Sequence, residues 1–141
     1  MSLVLLVQEQ TKLAQRWCQA LNTHYDVLVV DGPTRALAAV RDGGFDVVVI
    51  DCPSEAVVAF AAALDQLPDA PPMVFISDSP SAPRVSTQVG AAAFLLKPCD
   101  DQELINAVSK VIDTKVDIDL PLSLVEDEPT SRTTAFREQT M

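Results

Sequence analysis

The stretch Phe45-Asp46-Val47-Val48-Val49-Ile50-Asp51 places four consecutive β-branched residues between two aspartates. Nothing polar alternates within it. A short continuous apolar run of this kind suits a strand buried on both faces, as in a parallel sheet. Four similar runs lie to either side: Leu3 to Val7, Val27 to Val30, Met73 to Ile76 and Ala92 to Leu96.

Helical patterns lie between and after these runs. Leu13, Trp17 and Leu21 recur at four-residue steps. Pro33 opens a second helix, where proline is favoured at the first position, and Gly43-Gly44 closes it. Ser54 is predicted to cap a third, with Val57, Phe60, Ala61 and Leu64 on one side. Pro80 and Pro83 crowd the start of the fourth, leaving Arg84 to Val89. Asp100 or Asp101 caps the fifth, whose inward stripe is Leu104, Val108 and Val111. The order is strand then helix, five times over. Parallel strands need crossover helices, and right-handed crossovers cover both faces of the sheet. The expected fold is α/β: a doubly wound, five-stranded parallel sheet of order 2-1-3-4-5 in a three-layer sandwich. Such sheets form their sites outside the carboxyl ends of the strands, near the switch point.

The bulk composition fits one domain with a short appendage. The chain has 141 residues, 48% of them hydrophobic and few aromatic, so Val, Leu, Ile and Ala fill the core. The formal net charge of -10 argues against nonspecific binding to nucleic acid or anionic membrane, because little is available to neutralise phosphates. Cys18, Cys52 and Cys99 have no CxxC spacing and no disulfide pattern, which points to a reducing cytoplasm. No apolar run approaches the roughly 20 residues that span a bilayer. The domain is assigned to residues 1–113. From Thr114 the chain turns acidic, Pro121 and Pro129 interrupt it, and residues 114–141 read as a linker or tail carrying one apolar island, Leu120 to Val125.

The strand ends carry the chemistry. Strand 1 ends in Gln8-Glu9, strand 3 at Asp51, strand 4 at Ser77-Asp78 and strand 5 at Lys97-Pro98. The expected topology gathers them at one edge. An aspartate there can attack phosphorus and form an acyl phosphate. Mg²⁺ is typically held by one or two carboxylates plus waters, and Glu9 and Asp51 are the candidates. Lys97 is placed to pair with Asp51, and Ser77 to donate to a phosphoryl oxygen. Glu9 equally reads as an acid in the first turn of helix 1, and Ser77 as a turn residue. Cys52 and Cys99 read as small buried hydrophobes near the site edge.

The run Gly90-Ala91-Ala92-Ala93-Phe94-Leu95-Leu96-Lys97-Pro98-Cys99-Asp100 resembles the "GA…Y/F-L-x-K-P-x-D" segment of bacterial response-regulator receiver domains, including the chemotaxis receiver. Phe45 to Asp51 resembles their phosphoacceptor strand, and the likeness spans residues 3 to 113. It implies a flavodoxin-like sandwich, with Asp51 as phosphoacceptor, Lys97 as the partner lysine, Ser77 as the hydroxyl that senses the phosphoryl group and Phe94 as the aromatic switch. Glu9 matches the principal metal ligand, and the backbone carbonyl of Pro53 would be a further one. It also implies a histidine kinase or phosphotransfer protein as donor, and an output face on helix 4, strand 5 and helix 5 that engages an effector protein or a second copy.

The pattern breaks around the metal. Gln8 stands where an acid is usual, and Glu9 is one methylene longer than the usual Asp, which weakens any Mg²⁺ site. Asp51-Cys52-Pro53-Ser54 has its proline one place early and lacks the usual glycine, and Asp78 follows Ser77 where a small residue is expected. Two functions follow. One is a receiver of two-component signalling that accepts a phosphoryl group on Asp51 without being an enzyme in the ordinary sense. The alternative is a pseudo-receiver that binds partners without phosphorylation.

Overall fold

The computed structural model describes residues 2–119. The elements run β1 (Leu3–Gln8), α1 (Thr11–Asn22), β2 (Asp26–Val30), α2 (Pro33–Asp42), β3 (Val47–Asp51), α3 (Ser54–Leu64), β4 (Met73–Ser77), α4 (Ala82–Val89), β5 (Ala93–Leu96) and α5 (Asp101–Asp119). The five strands form one sheet, all parallel, in the order β2-β1-β3-β4-β5. This is the expected flavodoxin-like arrangement. One compact unit comprises Met1–Val111; a second begins at Ile112, and its described part is helical to Asp119. Helix α5 runs on through residues 114–119, the first part of the expected tail. The apolar island from Leu120 to Val125 lies outside the described residues.

The three central strands are buried along almost their whole length. Leu5, Val7, Val48, Ile50 and Phe75 pack with Val57, Phe60 and Leu64 of α3 and with Ala36 and Val40 of α2. Alternate residues, among them Val4, Leu6, Val49 and Ile76, are equally buried and point to the opposite face. That face carries α1, with Trp17 and Leu21 buried, and the start of α5, with Leu104 and Val108 buried; Arg16 and Asp101 tie the two helices at 3.0 Å. Each fully buried Val or Leu contributes about 1.5–3 kcal/mol, so this run of β-branched strands carries much of the stability. The edge strands depart from the expectation of burial on both faces. Leu28 and Val29 on β2 and Leu96 on β5 are exposed, because an edge strand has a neighbour on one side only.

Helix ends follow local chemistry with two corrections. Ser54 is the first residue of α3, not its cap; Pro53 takes the cap position, and the Ser54 hydroxyl is buried without a partner among the described residues. Helix α4 begins at Ala82, not Arg84, because Pro83 falls in its first turn, where the missing N–H costs nothing. At α5, Asp100 Oδ1 accepts from the Glu103 N–H at 2.7 Å and Glu103 Oε1 accepts from the Asp100 N–H at 3.0 Å, a reciprocal capping box. None of the described helices is long and apolar enough to cross a membrane.

Candidate functional site

Register brings the strand ends level. On β1 and β3, Gln8 is paired with Asp51. On β4 and β5, Ser77 is paired with Leu96, and the Lys97 N–H donates to the Ser77 carbonyl at 3.0 Å. The Lys97 side chain then reaches back past β4, and its Nζ lies 2.9 Å from Asp51 Oδ2. The expected convergence of Asp51, Ser77 and Lys97 on one rim is met. They border a cleft of about 530 Å³, shared with Glu9, Pro53 and Asp78.

Asp51 is 8% exposed, so its charge needs partners. Both partners address the same oxygen: Oδ2 accepts from Lys97 Nζ and, at 2.6 Å, from Gln8 Nε2. The orientation of the Gln8 amide follows from its other end, because Gln8 Oε1 accepts from the Gln10 N–H at 2.9 Å. No hydrogen bond to Asp51 Oδ1 occurs among the described residues, so the second carboxylate oxygen is unengaged among them.

Ser77 is 6% exposed, and its Oγ accepts from the Ser79 N–H at 3.1 Å. Its hydroxyl proton remains available for donation into the cleft. Ser79 and Ser81 continue the chain, with their hydroxyls 3.0 Å apart at the start of α4. Phe94 is half-buried, its ring 5.8 Å from that of Phe75 and tilted at 44°. Asp78 also borders the cleft but is exposed, so water screens its charge.

The expected metal ligands are arranged less favourably. Glu9 is exposed and precedes α1, outside its first turn, at the border between the Asp51 cleft and a groove beside α1 and β2. The Pro53 carbonyl accepts the Val57 N–H at 3.1 Å and is directed down α3. Among the described residues no group of three or more His, Cys, Asp or Glu side chains converges to hold a metal ion. Gln8, at the position where receiver domains usually carry an acid, turns an N–H donor toward Asp51. Receiver domains typically bind Mg²⁺ at the phosphorylation site, but the residues present here do not fit that ion well.

Cysteine chemistry is suppressed. Burial pushes the Cys52 thiol up to about 11, and the nearby Glu9 and Asp51 carboxylates add to the shift. Cys99 is raised too, chiefly by burial and then by Glu103, Asp100 and Asp51. Both thiols are protonated near neutrality and behave as small apolar groups. Sequence reasoning missed two contributors, the Gln8 carboxamide as a donor to Asp51 and the Ser79–Ser81 hydroxyl pair. The spacing of hydroxyls at 77, 79 and 81 was a visible signal for the second. Nothing local in the sequence marked the first.

Comparison with known proteins agrees with this fold. Residues 4–109 match the response regulator receiver domain family. No curated protein matches the chain. Among solved structures, the chemotaxis protein CheY4 of Vibrio cholerae is 25% identical, with 79% of this chain and 98% of that one covered and a TM-score of 0.68. The receiver domain of Francisella response regulator 1452 is 23% identical, with 82% and 99% covered and a TM-score of 0.73. A streptococcal redox sensor, from a family described as evolved from two-component response regulators, is 19% identical, with 94% of this chain and 60% of that one covered and a TM-score of 0.78. The last two likenesses concern the fold alone. With the family match spanning nearly all of the sheet and its helices, this chain belongs to the response regulator receiver domain family.

Proposed function

We propose that the chain is a cytoplasmic phosphoacceptor module of two-component signalling, with Asp51 as the acceptor. The observation that carries this reading is the Lys97–Asp51 ion pair at 2.9 Å, set beside the buried Ser77 hydroxyl. Asp51 Oδ1 attacks the phosphorus of a phosphohistidine on a kinase or phosphotransfer protein. The new P–O bond forms as the P–N bond breaks, and the bonding pair leaves on the imidazole nitrogen. Lys97 balances charge on the phosphoryl oxygens, and the Ser77 proton is donated to one of them. Drawing Ser77 toward the phosphoryl group strains its bond from the Ser79 N–H, and that pull is passed to the start of α4. Phe94 packs against the core cluster that includes Ala82 and Val85 of α4, and exposed Leu96 lies on the same edge, so α4, β5 and α5 form the face that meets a protein partner.

Beryllofluoride, a phosphoryl mimic, tests this reading by amide NMR. The expected result is a saturable shift of Asp51, Ser77, Lys97 and Phe94 that is lost in Asp51→Asn. Spectra that beryllofluoride leaves unchanged, with or without Mg²⁺, overturn it.

A second reading has its own support. The 2.6 Å bond from Gln8 already satisfies Asp51, as in a pseudo-receiver that binds partners without phosphorylation. Partner affinity unaltered by Asp51→Asn would favour it.

A further inference from the structure

We infer that the Gln8 carboxamide takes the place of a divalent cation against Asp51, so that this receiver assembles its site without metal. The amide has a fixed orientation. Gln8 Oε1 accepts from the Gln10 N–H at 2.9 Å, which leaves the NH₂ end facing β3. The paired register of Gln8 and Asp51 brings that end within 2.6 Å of Asp51 Oδ2. The amide cannot turn its oxygen toward a cation without giving up both bonds. Gln8 itself is only 3% exposed, so water would not replace what it lost.

The remaining oxygens do not assemble a good alternative. Mg²⁺ requires near-octahedral oxygen ligands at about 2.0–2.1 Å and accepts no N–H donor. Asp51 Oδ2 already accepts from an ammonium and an amide. The Pro53 carbonyl is engaged by Val57. That leaves Asp51 Oδ1 and exposed Glu9, with the hydrogens of Gln8 and Lys97 beside them. A cation entering there meets positive hydrogens on two sides. Conversely, a lone buried carboxylate is the arrangement that most needs a cation, and here an amide and a lysine already meet that need.

This inference goes beyond the reading of Asp51 as phosphoacceptor and is tested without any phosphoryl donor. Amide and side-chain NMR are recorded on the full chain in EDTA and then through a Mg²⁺ titration, with a second titration in which trace Mn²⁺ supplies paramagnetic broadening. The expected result is no saturable shift at Asp51, Cys52 or the Gln8 side-chain amide up to about 10 mM Mg²⁺, and no Mn²⁺ broadening confined to the rim. Gln8→Glu keeps the reach of the side chain but sets a carboxylate against Asp51. The variant is expected to lose thermal stability in EDTA and to regain it saturably with Mg²⁺, with a midpoint at least tenfold lower than any seen for the native chain. A native-chain shift that saturates at or below about 10 mM Mg²⁺, or site-specific Mn²⁺ broadening, overturns the inference whatever the variant does. If beryllofluoride fails to bind while the metal titration stays flat, the phosphoacceptor reading falls and this one stands.

Discussion

Lys97 and Asp51, 46 residues apart in sequence, meet at 2.9 Å across the width of β4. The pair joins the end of the last strand to the end of the middle one, and Ser77 lies on the strand between them. A buried carboxylate, an ammonium and a hydroxyl drawn from three strands make a site that exists only once the sheet has closed.

Removing the lysine should therefore act on both stability and chemistry. Lys97→Met leaves Asp51 charged, buried and held by Gln8 alone. Because Lys97 is itself one-fifth exposed, the expected cost is about 2 kcal/mol, below the range for a fully enclosed pair. Urea unfolding checks this. Labelling of Asp51 by acetyl phosphate should fall on the order of a hundredfold.

Ser77→Ala separates acceptance from response. The variant loses the hydroxyl that accepts from Ser79, costing about 1 kcal/mol. Asp51 should still be labelled, while the beryllofluoride-dependent shifts at Phe94 and in α4 should largely vanish. NMR of the variant beside the native chain checks both parts.

Cys52 governs a pH dependence at the alkaline end. Its thiol is raised from 9.0 to about 11 by burial and by Glu9 and Asp51. A raised pKa means that the folded chain holds the proton longer than the unfolded one. That contribution to stability is fully present below pH 9.0 and is lost as pH rises toward 11. Denaturation between pH 8 and 11 measures it, and Cys52→Ala should flatten the curve in that window. At neutral pH the native thiol should resist alkylation until the domain opens.

The capping box at α5 gives a local test. Asp100→Ala removes the acceptor of the Glu103 N–H and should cost about 1 kcal/mol without affecting labelling of Asp51. Chemical denaturation and mass spectrometry on the same variant check the two halves.

Much of the fold could be read from the residues, because continuous β-branched runs such as Val47 to Ile50 have few ways to be buried. Asp51, Ser77 and Lys97 were legible for the same reason: each follows a run directly, and strand ends in such sheets meet. What escaped depended on register and on neighbours in space. Gln8 looked like a lost ligand until its pairing with Asp51 made its amide a donor. The Pro53 carbonyl looked available until the early start of α3 committed it to Val57. The exposure of Leu28 and Leu96 follows from lying on the two edges of the sheet, which no single strand records.

The central claim is that Asp51 accepts a phosphoryl group, and peptide-resolved mass spectrometry after incubation with acetyl phosphate, in Mg²⁺ and separately in EDTA, tests it most directly. The account predicts a gain of one phosphoryl group on the peptide bearing Asp51, similar in both buffers and absent from Asp51→Asn. A peptide that stays unmodified in both, while the folded domain is intact by NMR, contradicts it.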